Sequence, residues 1–336
     1  VAWLLTGGAG YIGAHIARTF LDAGKEVVVL DNLATGYREF VPERASFVEG
    51  SVTDSASVDR TFREHEITGV VHLAGLKYAG VSVERPLLYF SENLAGISVL
   101  LEAVVAAGTP NFLFSSSSSW YGTIDSDHVT EDAPPNPESP YGQTKVASEW
   151  LLRDVAATTD GLSQTSLRYF NVVGSGTPEL ADHSPHNLFP KVFRAITAGE
   201  KPQVFGDDYP TPDGTCVRDQ VHVQDLAEAH LAAAVALEQN KKLAPAYNVG
   251  TGSGMSVLEI LDSMRAATGV DFEHELGPRR PGDPARVVGA VELIAKDLGW
   301  TAKRGREEMA SSAWAAWQRQ LELYGGPPPT GARLSL

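Results

Sequence analysis

The chain has 336 residues, enough for two domains or one large lobed α/β domain. Its 42 acidic residues against 27 basic ones leave a net charge of −15, the wrong sign for a nucleic-acid binder or a partner of anionic membranes. Hydrophobic residues at 43% with 21% charged exclude wholesale disorder, and the single cysteine, Cys216, excludes an internal disulfide and any Cys-cluster metal site.

Apolar runs at Val1–Thr6, Val27–Asp31, Ser46–Glu49, Gly69–Ala74 and Asn111–Ser115 predict buried strands. Between them, Tyr11–Ala23, Ser55–His65 and Asn93–Ala107 carry apolar residues at helical spacing. This alternation predicts a parallel sheet with right-handed crossovers. Charge or glycine breaks every apolar run within about ten residues, so no membrane-crossing helix is expected. The chain opens directly on a strand, so no signal peptide is expected either, and a reducing, cytoplasmic setting follows.

Prolines make Asp132–Pro140 a loop, and helix resumes at Tyr141 with Ser139 as cap and Pro140 at its start. Gln164–Arg168 predicts another strand. After Asn171 the rhythm changes. Gly174–Pro190 shows no clear period, whereas Gln203–Phe205 and Ala246–Val249 predict strands, and Val223–Glu238 and Ser256–Ala267 predict helices. The predicted architecture is α/β. A doubly wound parallel sheet spans 1–171, with later segments returning to it; a smaller α/β lobe spans 172–324 and a flexible tail 325–336.

Gly7, Gly10 and Gly13 follow the first strand and open the first helix. Such glycines allow a tight turn and let backbone N–H groups approach a pyrophosphate at the positive helix end. A plain glycine turn would look the same. Asp31 ends the second strand, 18 positions beyond Gly13, and no arginine stands among the five residues after it. A carboxylate there suits the ribose diol of NAD and repels the 2′-phosphate of NADP, although a turn-capping acid would also fit. Tyr141 and Lys145 share one helix face at i and i+4, behind a run of serines, Ser115 to Ser119, at a strand end. Bringing a phenol from pKa 10 to about 7 needs roughly 4 kcal/mol, which Lys145 and a nicotinamide cation could supply. A surface Tyr and Lys beside a polar turn is the bland reading.

With these residues in hand, the chain resembles the extended short-chain dehydrogenase/reductase family, and within it the UDP-hexose 4-epimerases. Thr6–Gly13, Asp31–Leu33, His72–Lys77, Phe114–Ser117 with Tyr121 and Gly122, Pro140–Lys145, Arg168–Asn171, Phe205–Asp219, His222–Leu226 and Arg279–Asp283 carry the likeness, over about residues 3–320. It implies a Rossmann-type fold, NAD as cofactor, a UDP-sugar as substrate and a homodimer through helices near Asn93–Ala107 and Tyr141–Thr159. The implied reaction interconverts UDP-glucose and UDP-galactose through a 4-keto sugar.

By position, Tyr141 would be the base, Lys145 its tuner and Ser117 the proton relay and sugar contact. The NAD site would comprise Gly7, Gly10, Tyr11, Ile12, Gly13, Asp31, Asn32, Leu33, Ala34, Thr35, Gly36, Ser51, Val52, Leu73, Ala74, Gly75, Lys77, Asn93, Ser115 and Phe170, with Tyr141 and Lys145. The UDP-sugar site would comprise Asn171, Asn187, Leu188, Gln203, Val204, Phe205, Arg218, Arg280, Asp283 and Val287, with Ser117 and Tyr141. The two arginines suit a diphosphate.

The chain departs from the family at Ser51 (usually Asp), Val172 (usually Pro) and Trp120 (usually smaller). Val287 matches a variable pocket position, where a small side chain suggests room for N-acetylhexosamines. Other readings stay open: a uronate 4-epimerase, a non-catalytic NAD sensor, or a nucleotide-sugar dehydratase, which lacks its carboxylate here because Ser118 and Ser119 follow Ser117. Asp182, His183 and His186 could be imagined as a cation site, but a polar loop is preferred and no metal is expected.

Overall fold

The computed structural model describes residues 1–123, 126–280 and 283–327. In chain order the first part holds β1 (Ala2–Thr6), α1 (Tyr11–Asp22), β2 (Glu26–Asp31), β3 (Ser46–Glu49), α2 (Ser55–Glu64), β4 (Ile67–His72), α3 (Ala79–Glu84), α4 (Pro86–Tyr89), α5 (Ala95–Ala107), β5 (Asn111–Ser117), α6 (Pro140–Thr158) and β6 (Ser163–Tyr169). Then follow β7 (Asn171–Val173), α7 (Leu188–Thr197), β8 (Gln203–Phe205), β9 (Val217–His222), α8 (Val223–Glu238), β10 (Ala246–Val249), β11 (Gly254–Ser256), α9 (Val257–Thr268), β12 (Glu275–Gly277), β13 (Arg286–Val287), α10 (Glu292–Leu298) and α11 (Arg306–Tyr324).

Seven strands form one parallel sheet in the order β10-β6-β5-β4-β1-β2-β3. Its central strands are buried along their length, Leu4, Leu5, Val29, Leu30, Val70 and Val71 being fully enclosed, as a sheet covered on both faces requires. Ile16 and Phe20 of α1 pack with Leu226, Ala229 and Ala233 of α8 on one face. Val58 of α2, Ile97, Leu100 and Leu101 of α5 and Leu152 of α6 cover the other. The chain runs outward from β1 through β2 to β3, then returns to β4 on the opposite side of β1. That reversal leaves a crevice at the carboxyl ends of β1 and β4, where open α/β sheets bind ligands.

The smaller lobe is built on β9, which pairs with β7, β11 and β13, and on the β8–β12 pair. Its core joins Phe189, Val192 and Phe193 of α7 to Ile260 and Met264 of α9 and Met309 and Trp317 of α11. β10 and α10 lie with the large sheet.

Several elements differ from expectation. The strand expected at Gly69–Ala74 occupies Ile67–His72, because Leu73 and Ala74 turn out of the sheet into the crevice wall. The stretch without clear period ends inside a helix, since α7 begins at Leu188. The expectation of no membrane-length span is corrected. α4, a π-turn at Phe90–Leu94 and α5 join into one helical run, Pro86–Ala107, of 22 residues with mean hydropathy 1.4, long and apolar enough by length and composition to cross a membrane. Its inner side, Ile97, Leu100, Leu101 and Val104, is packed into the sheet core. Of the expected tail, 328–336 lies outside the described residues.

Candidate active site

The glycine loop closes tightly on its surroundings. Gly7 adopts φ +76°, and a Cβ there would lie 2.8 Å from the Ala74 nitrogen; at Gly13 it would lie 2.3 Å from the Gly7 carbonyl oxygen. Gly10 caps α1 without a side chain, so the first N–H groups of that helix face the crevice instead of a capping oxygen. Asp31 is buried, and its carboxylate accepts from Ala9 N at 3.0 Å and Leu33 N at 2.8 Å. The acid therefore braces both loops of the crevice while lining it; burial pushes its carboxyl up, and the two N–H donors pull it back.

A cavity of about 590 Å³ occupies the crevice. Of the residues expected at a dinucleotide, Gly7, Gly10, Tyr11, Ile12, Gly13, Asp31, Asn32, Ala34, Thr35, Gly36, Ser51, Val52, Leu73, Ala74, Gly75, Lys77, Tyr141 and Lys145 line it. Four others stand behind the wall. Leu33, at φ 55°, packs into the core. Asn93 is saturated by Leu76 and Thr144: its Oδ1 accepts from Leu76 N at 2.7 Å, while Nδ2 donates to Leu76 O and Thr144 Oγ1, both at 3.0 Å. Ser115 bonds His230 Nε2 at 2.8 Å. Phe170 packs with Trp120, Tyr121, Val129 and Val146. These four shape the wall from behind, their polar or apolar groups being engaged inside the protein.

Tyr141 and Lys145 meet the crevice from the first turns of α6. Ser139 caps that helix, accepting from Gly142 N at 3.2 Å, and Pro140 occupies its first position. Lys145 Nζ donates to the Ser115 carbonyl at 2.8 Å and sits 5.9 Å from the centre of the Tyr141 ring. Burial pushes Lys145 down to about 8, against the pull of Glu149. Burial also pushes the Tyr141 phenol up, and a hydrogen bond with Ser117 is what lowers it. In the protein alone, burial is the larger influence on the Tyr141 phenol.

A second cavity, of about 830 Å³, opens against the smaller lobe. Asn171, Asn187, Leu188, Gln203, Val204, Phe205, Arg218, Arg280 and Asp283 all line it. Alternate residues of β9 point one way, so Arg218 and Gln220 share the cavity face. Arg218 pairs with Asp283, and the Arg280 guanidinium stacks 4.0 Å from the centre of the Phe205 ring. Val287 does not line this cavity. It packs against the cluster of Trp120, Tyr121 and Phe170. Pro281 and Gly282 lie outside the described residues.

The two cavities share Tyr11, Ala181, Asp182 and His186 as walls. Apart from Tyr11, sequence reasoning gave no role to this seam. Its signal lies in residues read only as a polar loop: Asp182 accepts from Asn187 Nδ2 at 2.6 Å and from Ser184 N at 3.0 Å, and the His186 ring lies 4.3 Å from that of Tyr78, tilted by 55°. His183 is enclosed by the rings of Tyr37, Phe40 and Tyr324. Among the described residues no three metal-ligating side chains converge.

Comparison with known proteins fits this layout. The NAD dependent epimerase/dehydratase family matches residues 3–250. The chain belongs to that family. It is 42% identical to the UDP-glucose 4-epimerase of Bacillus subtilis over 332 residues, covering 95% of this chain and 97% of the relative. A UDP-glucose 4-epimerase of Haemophilus influenzae is 41% identical over 95% of this chain and 98% of its own length. Among solved structures, the UDP-glucose 4-epimerase from Bifidobacterium longum in complex with NAD+ and UDP superposes with a TM-score of 0.88 at 36% identity, covering 95% of this chain and 98% of that one. The Stenotrophomonas maltophila enzyme with bound NAD and formylated UDP-arabinopyranose gives 0.90 at 38% identity, covering 96% and 99%.

The crevice fits the NAD of this epimerase/dehydratase family. The open N-terminus of α1 and the Cβ-free cradle at Gly7 and Gly13 suit a pyrophosphate, and the Asp31 carboxylate suits a ribose diol.

Proposed function

We propose that the chain is a UDP-hexose 4-epimerase that interconverts UDP-glucose and UDP-galactose with NAD retained through the cycle. The observation that carries this reading is the adjacency of the cavities. The arginine-bearing cavity shares Tyr11, Asp182 and His186 as walls with the dinucleotide crevice, with Tyr141 on the crevice side. Relatives and solved neighbours of the same name support it.

NAD, held by the glycine cradle and Asp31, would supply the hydride acceptor and donor for C4 of the sugar. Tyr141 Oη removes the O4 proton, directly or through Ser117 Oγ, and later gives it back. Lys145 holds a positive charge beside the phenol. Arg218, Arg280, Asn187 and the strand Gln203–Phe205 hold the nucleotide, with Asn171 in the wall of the same cavity. Firm binding of the non-reacting UDP lets the hexose be gripped weakly enough to turn.

The reading includes a homodimer and a cytoplasmic setting. Val83, Leu87, Phe90, Val105 and Trp150 leave apolar side chains exposed on α3 to α6, which supports a second copy there. The lone cysteine suits a reducing compartment.

The deciding experiment incubates the purified protein with UDP-galactose and no added NAD, alongside UDP-N-acetylgalactosamine and UDP-galacturonate. Conversion of UDP-galactose to UDP-glucose is expected. Failure to form it, or formation only with stoichiometric external NAD, overturns the proposal.

A further inference from the structure

Behind Tyr141 and Lys145 lies a buried ion pair that the reaction scheme leaves without a task. Glu149 stands one turn beyond Lys145 on α6, and Arg168 lies on β6. Arg168 Nη2 donates to Glu149 Oε2 at 2.7 Å and Nε to Oε1 at 3.0 Å, with both side chains buried. Arg168 also stacks 3.6 Å from the centre of the Trp120 ring and donates to Tyr121 Oη at 3.1 Å. Such a pair adds little net stability over well-packed apolar residues of similar size. Its contacts point to a second role.

Ser116 Oγ donates to Glu149 Oε1 at 2.5 Å. Ser116 lies between Ser115, whose carbonyl receives the Lys145 ammonium, and Ser117, which bonds the Tyr141 phenol. Pinning Ser116 therefore fixes the strand end that holds both partners. The same carboxylate is the acid nearest Lys145, at i+4 on the same helix face.

We propose that Glu149, held by Arg168, is the positioning residue of the active site: it tethers the end of β5 through Ser116 and supplies the negative charge that keeps the Lys145 ammonium protonated. This rests on the epimerase reading above and deepens it. The other titratable groups facing Lys145 are neutral at pH 7. His72 of β4 is pushed down to about 3 by burial and by Lys145 itself, and His230 of α8, bonded to Ser115, is pushed down to about 4 by burial. Tyr141 of α6 and Tyr169 of β6 are pushed up by burial. Beyond Glu149 lies the cation Arg168, with the carboxylate in front of it. Glu149 accordingly pulls Lys145 back up against its burial.

The test measures the pH profile of kcat and the KM for UDP-galactose in wild type, E149Q, S116A and E149D. E149Q keeps an oxygen for Ser116 but loses the charge. Its alkaline limb is expected to move down by about one pH unit, with KM held within about twofold. S116A keeps the charge and cuts the tether, so kcat is expected to fall about tenfold with the limb in place. An E149Q limb at the wild-type position overturns the proposal, because loss of packing alone would lower kcat or Tm without moving it. If E149Q does not fold, S116A and E149D decide, since both keep the charge and loosen the tether; wild-type kcat in both overturns it. A wild-type chain that turns over no UDP-galactose refutes the epimerase reading instead.

Discussion

Lys145 Nζ lies 5.9 Å from the centre of the Tyr141 ring and donates its hydrogen bond to the Ser115 carbonyl, 2.8 Å away. The ammonium is thus held beside the phenol without being bonded to it. Burial pushes Tyr141 up, which keeps the phenol neutral, and pushes Lys145 down to about 8, which still leaves its ammonium mostly charged at pH 7. The protein alone thus sets a cation beside a neutral phenol, and a bound nicotinamide cation would add the further positive charge that makes the phenol a base.

Replacing Tyr141 by Phe removes the proton carrier but keeps the ring. The epimerisation rate is expected to fall by roughly 10²- to 10⁴-fold, the usual span for a positioned acid–base group. The dinucleotide should remain bound, because the glycine cradle and Asp31 are untouched. Steady-state assay with UDP-galactose, beside the absorbance of cofactor released on denaturation, checks both. A mutant that retains wild-type turnover removes Tyr141 from the mechanism.

Gly13→Ala tests the cradle. The added Cβ would stand 2.3 Å from the Gly7 carbonyl oxygen and 2.7 Å from Gly8 Cα, both backbone atoms that cannot swing aside. Overpacking of this kind destabilises by about 1–3 kcal/mol, and here the loop that shifts is the one facing the pyrophosphate. The purified variant is expected to carry less NAD and to melt earlier than wild type. Full cofactor content would show that the loop does not hold the dinucleotide.

The first half of the fold was legible because each signal was local. Strand runs such as Val27–Asp31 are buried on both faces and read as continuous apolar segments, and Gly7, Gly10 and Gly13 announce their own turn. The smaller lobe was less legible. β9 is six residues of mixed polarity, Val217–His222, whose partners β7, β11 and β13 are two or three residues long and come from distant parts of the chain. No local period encodes such pairings. For Asn93 and Phe170, sequence position shows proximity to the site but not which protein groups each side chain engages. Asn93 turns its amide to Leu76 and Thr144, and Phe170 turns into the cluster around Trp120.

Leu87 tests the assembly. It is 85% exposed, with Val83 at 62% and Trp150 at 45% nearby in the α3–α6 region. Leu87→Asp places a charge on that face without touching either cavity. Wild type is expected to elute as a dimer in size-exclusion chromatography with light scattering, and the variant as a monomer. A wild-type monomer overturns the proposed dimer, and an unaltered dimer in the variant places the interface elsewhere.

Acid sensitivity follows from histidines that the fold uses in their neutral form. His15 Nε2 accepts from Gly176 N at 2.9 Å, and His222 Nδ1 accepts from Gln224 N at 3.0 Å, capping α8. A proton on either nitrogen would set donor against donor. Burial pushes His15, His222 and His230 each down to about 4, from an unfolded value near 6.5. Between those limits the unfolded chain binds protons that the native one refuses. Stability is therefore full above about pH 6.5 and falls as pH drops toward 4, by at most about 1.4 kcal/mol per pH unit for each histidine. The urea midpoint is expected to decline over that window. His222→Asn keeps a capping oxygen, asparagine being a preferred helix cap, and removes one titrating group. Its midpoint should fall less steeply with acid than that of wild type. An equal slope would mean that His222 takes no part in the acid response.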